Sequence, residues 1–138
     1  AVQCFVIKHF QWILDKIRYF EKFPAGMLLK GNRRDFLKYK ENARMRVQER
    51  LIHFNQTYNF AFNAVSIRNQ KTRWGSCSRK GNLNFNYRIA LLPERLADYI
   101  IVHEMCHLKE LNHSKQFWHL VSHAFPDHVV ARNELKKM

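Results

Sequence analysis

The sequence predicts an α+β fold in which helices pack on one small antiparallel sheet. Three observations lead there. Apolar residues recur at helical spacing in both end regions of the chain, they alternate with period two only in the middle, and a strong turn separates two of the alternating stretches.

The elements follow in order. Residues 5–22 read as a helix, with Phe5, Ile13, Ile17 and Phe20 apolar and Lys8, Lys16 and Lys22 among them; Pro24 and Gly26 end it. Residues 33–56 read as a long, charged helix whose apolar positions are Phe36, Leu37, Val47, Leu51, Ile52 and Phe54. Between Asn63 and Gln70, Val65 and Ile67 alternate with Ser66 and Arg68, as a half-buried strand requires. Lys71 to Ser78 is a second extended piece, Arg79-Lys80-Gly81-Asn82 a turn, and Leu83 to Tyr87 a third alternating strand, so the last two make a hairpin about Gly81. Pro93 opens the next helix, where its missing N–H is harmless, and Glu94 suits the positive end of the dipole. That helix is expected to reach about Leu111, with Asn112 as a left-handed terminator. Ser114 can cap a helix from Lys115 to Ala124, Pro126 breaks it, and residues 127–137 form the last helix. No repeat or shift in composition marks an internal boundary, so residues 1–138 read as one domain.

Composition narrows the class. At 46% hydrophobic residues, the 138-residue chain can bury a core and is not a disordered tail. No apolar run approaches the roughly 20 residues that cross a bilayer, and the first residues lack the pattern of a secretory leader, so no membrane partner is expected. The formal charge of +13 divides into +7 over residues 1–60 and +6 over residues 61–138. Such a spread charge attracts polyanions, which makes nucleic acid or nucleotide contact an expectation of the surface as a whole. Cys4, Cys77 and Cys106 are odd in number and form no Cys-x-x-Cys. That argues against a disulfide framework or a zinc ribbon and for a reducing cytoplasm.

The chemistry lies in His103-Glu104-Met105-Cys106-His107. Histidines four apart on a helix stand on one face, one turn apart, and can converge on one Zn²⁺ at roughly 2.0–2.1 Å. Glu104 beside them is suited to hold and deprotonate a water on the metal. A catalytic zinc takes a third protein ligand and keeps one position open. Glu110 shares the face of His103 but lies about 10.5 Å further along a straight helix, too far to share the ion. Glu134 would have to reach across from the last helix. His113 follows a natural helix end and is the better candidate, so the expected centre is one Zn²⁺ per chain on His103, His107 and His113, with Glu104 as catalytic base. Trp74 and Trp118 read as core residues rather than cleft walls. His119 and His123 form a second pair four apart, read as a solvated helix face, and His9, His53 and His128 join no constellation. Cys106 is expected in the core, and nothing near Cys77 in sequence activates it as a nucleophile.

A family resemblance runs through the same residues. His103-Glu-Met-Cys-His107-Leu-Lys-Glu-Leu-Asn112-His113-Ser114-Lys-Gln-Phe117-Trp118 resembles the YgjP-like, SprT-related group of small zincin metallopeptidases. Arg73-Trp74-Gly75-Ser76-Cys77-Ser78, Gly81-Asn82-Leu83-Asn84-Phe85-Asn86 and Leu91-Leu92-Pro93 match it too. The likeness is close over about residues 60–126 and loose over the helices at about 5–56. It implies a zincin-like core with the metal on His103, His107 and His113 and with Glu104 as acid and base. Members carry a β-rich region ahead of the first helix, and the expectation here is the peptidase core without that accessory surface.

The leading expectation is therefore a zinc metallopeptidase acting on a peptide or protein, with Leu83 to Tyr87 as the sheet edge beside the cleft and Asn84 and Asn86 as polar contacts to substrate. Tyr87, Arg88 and Asn112 are the candidates for stabilising the oxyanion. Some members of the group have been described as nucleotide pyrophosphatases, and the alternative is hydrolysis of a nucleoside triphosphate at the same centre. The chain has no Gly-x-x-x-x-Gly-Lys loop, so that alternative would depend on the metal. A non-enzymatic nucleic-acid-binding module is the third reading; it leaves the spacing of the histidines and Glu104 unexplained.

Overall fold

The computed structural model describes residues 33–137. The helix expected over residues 5–22, with Cys4 and His9, lies outside them.

Helix α1 (Arg33–Tyr58) turns Ala43, Val47, Leu51 and Phe54 inward, a stripe of one residue per turn. Leu37 and Ile52, expected on that stripe, stand 61% and 69% exposed because they fall on the opposite side of the helix. The helix stops at Asn59, whose φ of 54° is the left-handed value that breaks the helical path. Asn55 then clasps Phe60 with its side-chain amide, donating to the Phe60 carbonyl and accepting from the Phe60 N–H.

Strands β1 (Val65–Arg68), β2 (Gly75–Cys77) and β3 (Leu83–Asn86) form one sheet in the order β1-β3-β2. β2 and β3 make the expected antiparallel hairpin, closed at Gly81 with φ 83°. The sheet is nevertheless mixed rather than antiparallel, because β1 pairs parallel to β3, Val65 opposite Leu83 and Arg68 opposite Asn86. The chain reverses direction from each strand to the next. Seating β3 between the other two therefore places strands of like direction side by side. The same order corrects the expected sheet edge: β3 is central and buried, and the edge beside the cleft is β2.

A 3₁₀ turn (Tyr87–Leu91) leads from β3 to α2 (Glu94–Cys106), which Pro93 opens. α2 is buried on nearly every side, with Ile101, Val102, Met105 and Cys106 at 0% exposure. It ends at Cys106 instead of Leu111, and Asn112 has no positive φ. Ser114 caps α3 (Lys115–Ala124) by accepting from the Phe117 N–H, and α4 (His128–Lys137) closes the fold.

α1 is tied to the rest by polar side chains. Arg46 donates to the carbonyls of Ile89 and Leu92 at 2.9 and 2.8 Å. Arg50 grips Asp98 of α2 through two hydrogen bonds of 2.8 and 3.0 Å. Tyr58 donates to the Leu120 carbonyl of α3. No described helix is long and apolar enough to cross a membrane.

Candidate metal centre

His103 lies in the last turn of α2, and His107 caps its C-terminal end. Past His107 the backbone makes a turn, with Leu108 N–H bonded to the Met105 carbonyl and Glu110 N–H to that of Cys106. The chain thus leaves the helix axis and returns at His113, directly before the Ser114 cap of α3. The early end of α2 is what brings His113 back to His103 and His107.

The three Nε2 atoms form an equilateral triangle, each 3.2 Å from the other two. Four nitrogens arranged tetrahedrally at roughly 2.0–2.1 Å from a zinc ion stand about 3.3 Å apart, so the triangle fits three corners of such a centre. Among the described residues no other set of three His, Cys, Asp or Glu side chains converges in this way. Glu110 supplies only its backbone: its carbonyl accepts from His107 Nδ1 at 2.9 Å, which leaves His107 Nε2 free of a proton and facing the triangle. Glu134 is buried on α4 and contributes no atom to the set.

The surroundings of His103 and His107 favour neutral rings. Burial, reinforced by His107, His113 and Arg132, pushes His103 down to about 3, and burial also lowers His107. A neutral imidazole is the form that binds a metal. Tyr99, one turn before His103, sets its hydroxyl 3.4 Å from His103 Nδ1. The Phe117 ring stacks on His107 at 4.4 Å, and Trp118 lies nearly parallel to His113 at 5.9 Å.

Glu104 is 6% exposed, and its Oε2 is buried without a hydrogen-bond partner among the described residues. Its Oε1 lies 3.8 Å from His103 Nε2, at the rim of the triangle. Burial pushes this carboxyl up to about 8 against the pull of Arg73. Gly75 of β2 makes that position accessible: a Cβ on it would stand 3.0 Å from both Glu104 Cγ and the Asn84 carbonyl oxygen. Two open clefts meet here, one of about 310 Å³ and one of about 270 Å³, sharing Arg73, Gly75, His103 and Glu104.

Other expected site residues fall elsewhere. Tyr87 is fully buried in the core, and none of Tyr87, Arg88 and Asn112 lines either cleft. Asn86 is also fully buried, its amide spent on the carbonyls of Gln70 and Arg73. Trp74 and Trp118, expected in the core, are half-buried: Trp74 forms part of the larger cleft and Trp118 backs His113. Cys106 is buried as expected, and burial pushes the Cys77 thiol up to about 11, which keeps it protonated at neutral pH. Sequence reasoning missed Gly75 and Tyr99 as parts of the site. Tyr99 could have been found from its spacing of four before His103.

Comparison with known proteins bears on the same region. Among solved structures, the metallopeptidase zymogen abylysin of Pyrococcus abyssi is 27% identical, with a TM-score of 0.60 over 66% of this chain and 92% of that one. The metallopeptidase zymogen jannalysin of Methanocaldococcus jannaschii is 30% identical, with a TM-score of 0.51 over 68% and 91%. No curated protein matches the sequence. The model of the YgjP-like metallopeptidase domain matches residues 33–138, a span that takes in the sheet, α2 and the joint that carries His113. On that match the chain belongs to the YgjP-like metallopeptidases, metal-dependent hydrolases of peptide bonds.

Proposed function

We propose that the protein is a zinc peptidase in which His103, His107 and His113 hold one Zn²⁺ and Glu104 is the general base. The observation that carries this reading is the 3.2 Å triangle of Nε2 atoms with a buried Glu104 carboxyl oxygen beside it that has no hydrogen-bond partner among the described residues. Zinc bound there supplies a Lewis acid that polarises a carbonyl and brings the pKa of a water toward ~7. Glu104 takes the proton of the attacking water at its carboxylate and passes it to the leaving amine. An extended substrate pairs with the edge of β2 that carries no strand among the described residues, where Gly75 lets its backbone run close to Glu104. Phe117 and Trp118 hold the ring planes of His107 and His113.

Metal analysis of purified variants tests the ligand set. His113→Ala is expected to lose the zinc that the wild type carries, and Glu134→Gln to keep it. Zinc retained by the first and lost by the second would place Glu134, not His113, at the third corner.

A second reading draws on one observation. Arg73, Arg132 and Lys136 line the larger cleft, and Glu104 is the only carboxylate among its lining residues. Such a wall could take the phosphates of a nucleoside triphosphate. Casein and nucleoside triphosphates, assayed side by side with the zinc-loaded enzyme, separate the two. The peptidase reading expects casein cleavage with no release of pyrophosphate; the reverse result replaces it.

A further inference from the structure

Helix α3 buries Phe117 and Val121 and turns the residues two further on, His119 and His123, to the solvent side. These two rings have the mutual geometry of the pair on α2. His119 and His123 bring their Nε2 atoms to 3.3 Å, with ring centroids 4.7 Å apart and planes at 72°. His103 and His107 show 3.2 Å, 4.8 Å and 77°. On α2, burial and the packing of Phe117 force the rings together. On α3 both residues are exposed, so no packing compels the same convergence. Among the described residues, no other histidine nitrogens outside the triangle approach one another.

We infer that His119 and His123 form a second metal site, a surface site for Zn²⁺ or another imidazole-seeking transition ion such as Cu²⁺ or Ni²⁺. Two histidines four apart on a helix present two corners of a coordination shell on one face. No third His, Cys, Asp or Glu atom joins them among the described residues, so water fills the remaining positions. With two protein ligands instead of three, on a chain of net charge +13, the site binds more weakly than the triangle. Hard ions such as Mg²⁺ and Ca²⁺, which seek oxygen, are not expected there. The competing account is a single hydrogen bond between the rings. Facing water, such a bond exchanges with bonds to solvent and contributes little. The site does not depend on the peptidase reading, since its ligands touch neither cleft.

Titration of the full chain with ZnCl₂ after chelator treatment, followed by calorimetry and by metal analysis of dialysed samples, tests the inference. The wild type is expected to take up a second, weaker equivalent. His119→Gln/His123→Gln is expected to lose that equivalent alone and to keep the tight one and casein hydrolysis. Each single replacement weakens the second equivalent, whereas His53→Gln, at an exposed histidine with no histidine partner among the described residues, leaves it unchanged. The inference is overturned if the wild type binds no more than one zinc, or if the second equivalent survives the double replacement. Failure of the peptidase reading looks different: the tight equivalent is absent while the weak one remains sensitive to His119 and His123.

Discussion

Glu104 and Gly75 depend on each other. The carboxylate can sit beside the histidines only because the strand opposite carries no side chain at Gly75. Two replacements separate the chemical and the steric part of this pairing. Glu104→Gln has nearly the same shape but no basic oxygen, so zinc uptake is expected to persist while casein hydrolysis falls to background. Full activity in a fully metallated variant would move the base elsewhere. Gly75→Ala keeps the Glu104 carboxylate and removes the room for it. Its Cβ meets a backbone oxygen on one side and the Glu104 stem on the other, both at 3.0 Å. Overpacking of this kind is expected to cost about 1–3 kcal/mol of stability. With Glu104 as the proposed base, its displacement is expected to lower kcat by about a hundredfold. Zinc content should be unchanged, and a Gly75→Ala enzyme of wild-type kcat would show that the strand yields freely.

Between elements, the joint from His107 to Ser114 decides where the third imidazole falls, and α3 must be held for that joint to be fixed. Tyr58 at the end of α1 contributes to that hold beside the buried Phe117 and Val121. The hydroxyl of this half-buried side chain donates to the Leu120 carbonyl and accepts from the Ala124 N–H, so it grips the last turn of α3. Burial pushes its phenol well above the usual range, so it stays protonated as a donor. Tyr58→Phe removes both bonds, while the Leu120 carbonyl and the Ala124 N–H still pair with each other within the helix, so a loss of about 0.5–1.5 kcal/mol is expected in urea denaturation. The midpoint should fall with an unchanged m-value. A change below about 0.5 kcal/mol would mean that α3 is held by Phe117 and Val121 alone.

Across the whole molecule, what could be read from the sequence was whatever obeys a local period or a local stop. Pro93, the Ser114 cap and the turn at Gly81 mark element ends by their own backbone chemistry, and each does so in the structure. The helical pair His103 and His107 was legible for the same reason: their relation follows from a single turn of helix. Three features needed the third dimension. Alternation shows that Val65 to Arg68 is a strand but not which neighbour it takes, so the parallel pairing with β3 was hidden. Apolar residues continue past Cys106, so periodicity carried α2 to Leu111, whereas the His107–Glu110 bond and the turn at Leu108 end it. Gly75 became part of the site only through the approach of β2 to α2, which no spacing in the sequence reports.

The triangle of imidazoles is also very local: its outermost members, His103 and His113, stand 10 positions apart. Closing so short a loop costs little chain entropy, so the ligands can meet before the sheet and α1 are in place. On the proposed zinc reading, the ion can then be captured by the unfolded chain as well as by the native one, and binding to the unfolded state subtracts from ligand-induced stabilisation. The rise in Tm on zinc addition is accordingly expected to fall short of the value calculated from the native Kd alone. Equality between the two, in parallel calorimetric and thermal measurements, would show that the open chain has no hold on the ion. In a cell, a nascent chain that already carries its metal would fold around the ion instead of acquiring it at the end.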